Sequence, residues 1–117
     1  MMDVLATIAV VLVAVLHLWF LVLEMFLWDR PLGRRSFNLS AEKAAATKVL
    51  AMNQGLYNGF LAAGLLWGLA AGFQVQVFFL ACIIVAGVFG ALTASRKILF
   101  VQALPGAAAL ALVLAAR

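Results

Sequence analysis

A chain of 117 residues that is 68% apolar and only 10% charged departs far from a water-soluble globule, whose shares are about 45–50% and about 25%. A domain this small has too much surface for its volume to hide the excess, so the solvent must be hydrocarbon and the class is integral membrane protein. The net charge of +4 would fit nucleic acid, but five of the eight basic residues stand in one polar segment between apolar runs, which excludes that partner and points to lipid.

The first apolar run covers residues 4–27. It has no Lys or Arg ahead of it, carries Asp3 instead, and is about twice the length of a signal-peptide core. It is read as a retained spanning helix. His17, Leu21, Glu24 and Trp28 fall on one stripe of such a helix at 3.6 residues per turn, and Trp28 ends it as an interfacial anchor.

The connection over 28–48 is the only long one. It holds Arg30, Arg34, Arg35, Lys43 and Lys48, the residues expected to contact anionic headgroups or an anionic ligand. Pro31 and Gly33 signal a turn. Ser40, with Glu42 two residues on, is an N-cap with an acid in the first turn, so residues 41–48 are expected to be a helical extension of the next span.

That span covers 49–71. Gly55 and Gly59 form one small ridge, and Gly64, Gly68 and Gly72 a second on the opposite face. Small ridges let helices approach closely in lipid. The helix is therefore expected to be sandwiched between two neighbours, in the same chain or across a homo-oligomer interface.

Gly72-Phe73-Gln74 leads to the third run, 75–94, which contains Cys82. A lone cysteine excludes an intrachain disulfide and reads as packing. Ser95-Arg96-Lys97 leads to the fourth run, 98–116. Pro105 there frees the carbonyl of Val101 and kinks the helix beside Gln102.

All four runs meet the roughly 20 residues needed to cross a bilayer. Helices follow because lipid leaves backbone groups no other partner. If the first and third connections face the cytoplasm, that side holds seven of the eight Lys and Arg. The expectation is an all-α four-transmembrane-helix bundle, N-out and C-out, multi-pass in the bacterial inner membrane and forming one domain over 1–117.

With that orientation, every strongly polar side chain within a span lies in the cytoplasmic half or near the midplane. Glu24, Asn53, Gln54 and Gln102 sit about one turn inside, and His17, Tyr57 and Asn58 lie deeper. Polar groups in hydrocarbon face a bundle interior or a water-filled cavity. These seven residues are read as a polar ligand pocket open to the cytoplasm. No Cys/His cluster, nucleophile–base pair or phosphate loop occurs, so neither a metal nor a cofactor is expected.

The stretches HLWFLVLEMFLW (17–28), TKVLAMNQGLYNGFLAAGLLWG (47–68) and ILFVQALP (98–105) resemble the domain-of-unknown-function family 1304 of small bacterial membrane proteins, nearly end to end. The resemblance implies a four-helix membrane protein and no particular activity. Leu16 precedes His17 here, where an acid often stands in the family, so no His–carboxylate relay is implied.

Three readings follow. In the first, the pocket binds a lipid or small amphiphile. The second is an enzyme resembling the trimeric eicosanoid and glutathione metabolism proteins, also small, four-helical and polar on the cytoplasmic side. The third is a small proton-coupled exporter using Glu24.

Overall fold

The computed structural model describes residues 1–117 and is helical throughout, without strands. Five α-helices follow in order: α1 Met2–Met25, α2 Pro31–Phe37, α3 Ala41–Ala71, α4 Phe73–Thr93 and α5 Leu104–Ala116. A π-helical turn, Leu99–Ala103, precedes α5.

Three helices are long and apolar enough to cross a membrane: α1, α4, and the stretch Leu99–Ala116 formed by the π turn with α5. This is a helical protein with three candidate membrane spans, and in that respect it differs from the expected four. α3 has length to spare at 31 residues, but Asn53, Gln54, Tyr57, Asn58 and four glycines dilute its apolar content. It is one unbroken helix from the polar connection onward, so the extension expected over 41–48 belongs to it. Its start is capped as expected, with the Lys43 backbone N–H donating to Ser40 Oγ at 3.1 Å.

The short α2 is a correction: Pro31 and Gly33 do not form a simple turn. Pro31 opens the helix at a position where its missing N–H costs nothing. Arg34 and Arg35 lie in the last turn, where the helix dipole favours cations. Asn38 closes it in the left-handed conformation, φ 54°. The N–H of Leu39 then reaches back to the Arg34 carbonyl at 2.8 Å, and that of Asn38 to Arg35 at 3.4 Å. This double return is a Schellman termination. Gly33 is buried within α2, where a Cβ would run into the carbonyl of Leu27.

Compact packing divides the chain into residues 15–60 and residues 1–14 with 61–117. The latter unit is built on Ala6, Val10, Val13 and Ala14 of α1, Leu65 of α3, Leu80 and Ile83 of α4, and Ala109 and Val113 of α5. Gly64 and Gly68 meet α4, at Phe79 and Gln76. A single residue, Gly72, separates α3 from α4, and its φ of +108° requires glycine.

Pro105 leaves its mark as a π turn. The Leu104 N–H bonds five residues back to Leu99, so the ladder shifts register just before the residue that cannot donate. Gly87 of α4 packs against this turn so closely that a Cβ would lie 2.5 Å from the Ala103 nitrogen.

Many large apolar side chains point outward. Leu92 is 81% exposed and Val49 71%, while the buried positions include His17, Glu24 and Asn58. Apolar surface on this scale calls for a lipid or protein neighbour.

Candidate functional site

In residues 15–60 the last turns of α1 face α3. The stripe of α1 that buries His17 also buries Glu24, seven residues on. On α3, Ala44, Ala51, Gly55, Asn58 and Gly59 form the facing stripe, at helical spacing and mostly small. Gly55 permits the approach: a Cβ there would lie 2.6 Å from Met25 Cγ and 3.2 Å from the Leu21 carbonyl oxygen. At Gly59 only the tip of Leu21 intervenes. The close approach carries the amide of Asn58 to the carboxylate of Glu24.

Asn58 Nδ2 donates to Glu24 Oε1. Both side chains are buried, at 5% and 8% exposure, so the contact is shielded from competing water. Local helix energetics do not explain the acid: an anion in the last turn of a helix opposes the dipole. The amide offsets part of that cost and of the cost of removing a carboxylate from water. A carboxylate has a second oxygen, able to accept beside the one that Asn58 engages.

Two further polar contacts continue the antiparallel alignment. Trp28 Nε1 donates to Thr47 Oγ1 at 3.0 Å, and the Thr47 hydroxyl donates in turn to the Lys43 carbonyl at 2.7 Å. The Trp28 ring also packs on Phe37 of α2, 4.7 Å between centroids. Next comes Lys48 Nζ on Asp29 Oδ2 at 3.0 Å. That hydrogen bond and the ammonium charge hold the Asp29 carboxyl below the usual carboxylate range. The series Asp29–Lys48, Trp28–Thr47, Glu24–Asn58 runs from exposed to buried.

The seven candidate pocket residues are thus distributed unevenly. Glu24 and Asn58 meet. His17 is wholly buried on the same stripe of α1, edge-on to Phe20 at 5.1 Å. Asn53, Gln54 and Tyr57 lie on the exposed side of α3, and Asn53 Nδ2 bonds back to the Val49 carbonyl at 3.2 Å. Gln102, half-buried, belongs to the π turn of the other unit. Among the basic residues, Lys48 is engaged by Asp29 and Arg34 donates to the Leu39 carbonyl at 3.3 Å. Arg30, Arg35 and Lys43 are exposed. Thr47, which fixes Trp28, was not among the sequence candidates. Its signal is weak, because a threonine next to Lys48 reads equally well as ordinary helix surface.

A protein of Lactococcus lactis subsp. lactis (strain IL1403), described as uncharacterized protein YpaA, is 32% identical over 117 residues, spanning 96% of this chain and 97% of its own length. No solved structure matches this chain. Residues 11–114, which include Glu24, Asn58 and the π turn, match the family model described as protein of unknown function (DUF1304), and the chain belongs to that family.

Proposed function

We propose that this protein is a four-span module of the bacterial inner membrane whose Glu24–Asn58 centre holds the polar end of a lipid or small amphiphile. The observation that carries the reading is the buried hydrogen bond between the two residues. A carboxylate inside an apolar span is costly, and ionisable residues placed so mark a binding or transport site by default. Glu24 keeps acceptor capacity for a hydroxyl or amine donor, and the apolar surface of the neighbouring helices suits a hydrocarbon tail.

In this reading α3 is the fourth span, because α1 ends at the polar connection and α4 begins one residue after α3. The distribution of basic residues favours both termini outside and the Glu24 end toward the cytoplasm. The exposed amides of Asn53 and Gln54 fit an interface with a second copy, since interhelical amides bind helices together in lipid.

Native mass spectrometry of the protein released from nanodiscs tests the reading, beside Glu24→Gln and Asn58→Ala. The expected result is a retained adduct on the wild type that both substitutions remove. A bare chain in all three, or an adduct indifferent to both substitutions, would make Glu24 and Asn58 internal glue and end the ligand reading.

A further inference from the structure

Residues 1–14 with 61–117 hold a second polar feature, at the opposite end of α1 from Glu24. A cleft of about 210 Å³ lies among the start of α1, the start of α4 and the end of α5. Asp3, Thr7, Gln76, Phe73 and Arg117 line it. These residues combine an anion, a cation, a hydroxyl and an amide on the rim of three otherwise apolar helices.

The two charges do not neutralise each other. Asp3 and Arg117 share the cleft without forming an ion pair. The guanidinium sits instead over the Phe73 ring, 4.4 Å from its centroid, a contact that uses the cation's face and consumes none of its five N–H donors. Asp3 stands in the first turn of α1, where the dipole favours its charge. Gln76 is held by donation from Nε2 to the Gly68 carbonyl at 2.9 Å, which leaves its amide oxygen as a second acceptor near Asp3. Opposite charges held apart in one cleft select a ligand that carries both signs.

Size narrows the ligand. The cleft exceeds the about 30 Å³ share of a single water several times over, yet falls below the about 300–1,000 Å³ of sites for drug-sized molecules. Its place at the ends of spanning helices is the headgroup level of a bilayer. We propose that it binds the headgroup of a zwitterionic phospholipid with a primary ammonium, Arg117 taking the phosphate and Asp3 the ammonium.

The chemistry predicts an order among lipids. Phosphatidylethanolamine satisfies both charges. Phosphatidylcholine offers Asp3 no N–H, and phosphatidylglycerol brings a phosphate with no cation to offset Asp3. The inference rests on the chain spanning a membrane, and is independent of Glu24.

The test is native mass spectrometry of the protein from nanodiscs holding the three lipids in equal parts. Phosphatidylethanolamine should be enriched about tenfold over each of the others, the ratio set by one charge-assisted contact of about 1.4 kcal/mol. Arg117→Gln should abolish retention, and Asp3→Asn should keep a lipid bound while erasing the preference over phosphatidylcholine. Equal retention of the three lipids by an inserted wild-type chain would overturn the inference alone. So would an unchanged preference in Asp3→Asn. Thermal stabilisation by soluble phosphoethanolamine equal to that by the lipid would overturn the membrane as the source. A chain that does not enter nanodiscs would overturn the membrane reading and this inference with it.

Discussion

Asn58 donates to Glu24 across the interface of α3 and α1 at a point where both helices otherwise offer alanine, glycine and leucine. The pair is the only contact in the structure joining a buried acid to a buried amide. Removing the donor leaves a largely buried carboxylate oxygen without its partner. Asn58→Ala should therefore cost about 1–3 kcal/mol, the range for an orphaned buried polar group. An ordinary interhelical hydrogen bond in a membrane averages about 0.6 kcal/mol. The two figures are separable by SDS-titrated unfolding in mild detergent. Replacing both residues with leucine should cost less than the two single changes summed, and the double-mutant cycle measures that coupling. A cycle that closes to zero would mean the two residues act independently.

Two glycine substitutions should part company. At Gly59 an added Cβ meets only Leu21 Cδ1, at 2.7 Å, the movable end of a side chain. At Gly87 it meets the backbone nitrogen and Cα of Ala103, at 2.5 and 2.8 Å. Alanine gains about 1 kcal/mol over glycine in a helix interior, whereas overpacking against an unyielding neighbour costs about 1–3 kcal/mol. Gly59→Ala should be close to neutral and Gly87→Ala destabilising, by comparison of unfolding midpoints in detergent. Equal effects would show that the π turn yields as readily as a leucine tip.

Gly72→Ala isolates a backbone effect. Nothing lies within 4 Å of an added Cβ there, yet φ is +108°. The substitution should destabilise by about 1–3 kcal/mol, the cost of a sparsely populated backbone region, without any steric clash. A thermal melt unchanged from wild type would indicate that the α3–α4 turn readily adopts another conformation.

The Asp29–Lys48 pair carries a pH signature. Its partner holds the Asp29 carboxyl below the ordinary range, so folding favours the ionised form. The contribution is complete above the unfolded carboxylate's value of about 3.9, and is lost as pH falls through the lower folded value. Between pH 5 and 8 the pair should leave stability flat. Lys48→Gln should raise the Asp29 pKa, read by NMR titration of its carboxyl carbon. An unmoved titration midpoint would dissociate Lys48 from the effect.

Much of the helical layout is legible in the residues because lipid makes length and apolarity decisive. The runs at 4–27 and 75–94 correspond to α1 and α4 within a few residues. Ser40 announces the start of α3 because an N-cap is a local chemical event. α2 is different: Pro31 and Gly33 signal a turn by their averages, and only the termination at Asn38 and the approach of Leu27 turn them into the start and interior of a helix. The polar centre was half legible. Depth along the chain groups Asn53, Gln54, Tyr57 and Asn58 together, since all four lie near one level. Which of them faces α1 depends on the rotation of α3, and that is set by the small stripe on which Gly55 and Gly59 pack against Leu21 and Met25. Asn58 shares the stripe and the other three do not. The cleft at Asp3 and Arg117 was not legible, because residues at opposite ends of a chain carry no spacing signal.

Glu24 and Asn58 lie within the membrane only if α3 crosses it. Single-cysteine labelling in intact bacteria tests this most directly. In a Cys82→Ala background, Ala41→Cys, Gln74→Cys and Ser95→Cys report both ends of α3 and the connection after α4. A membrane-impermeant maleimide should label Gln74→Cys in intact cells, and the other two only after lysis. Labelling of Ala41→Cys and Gln74→Cys from the same side would contradict it, leaving α3 outside the bilayer and the Glu24–Asn58 pair without its membrane setting.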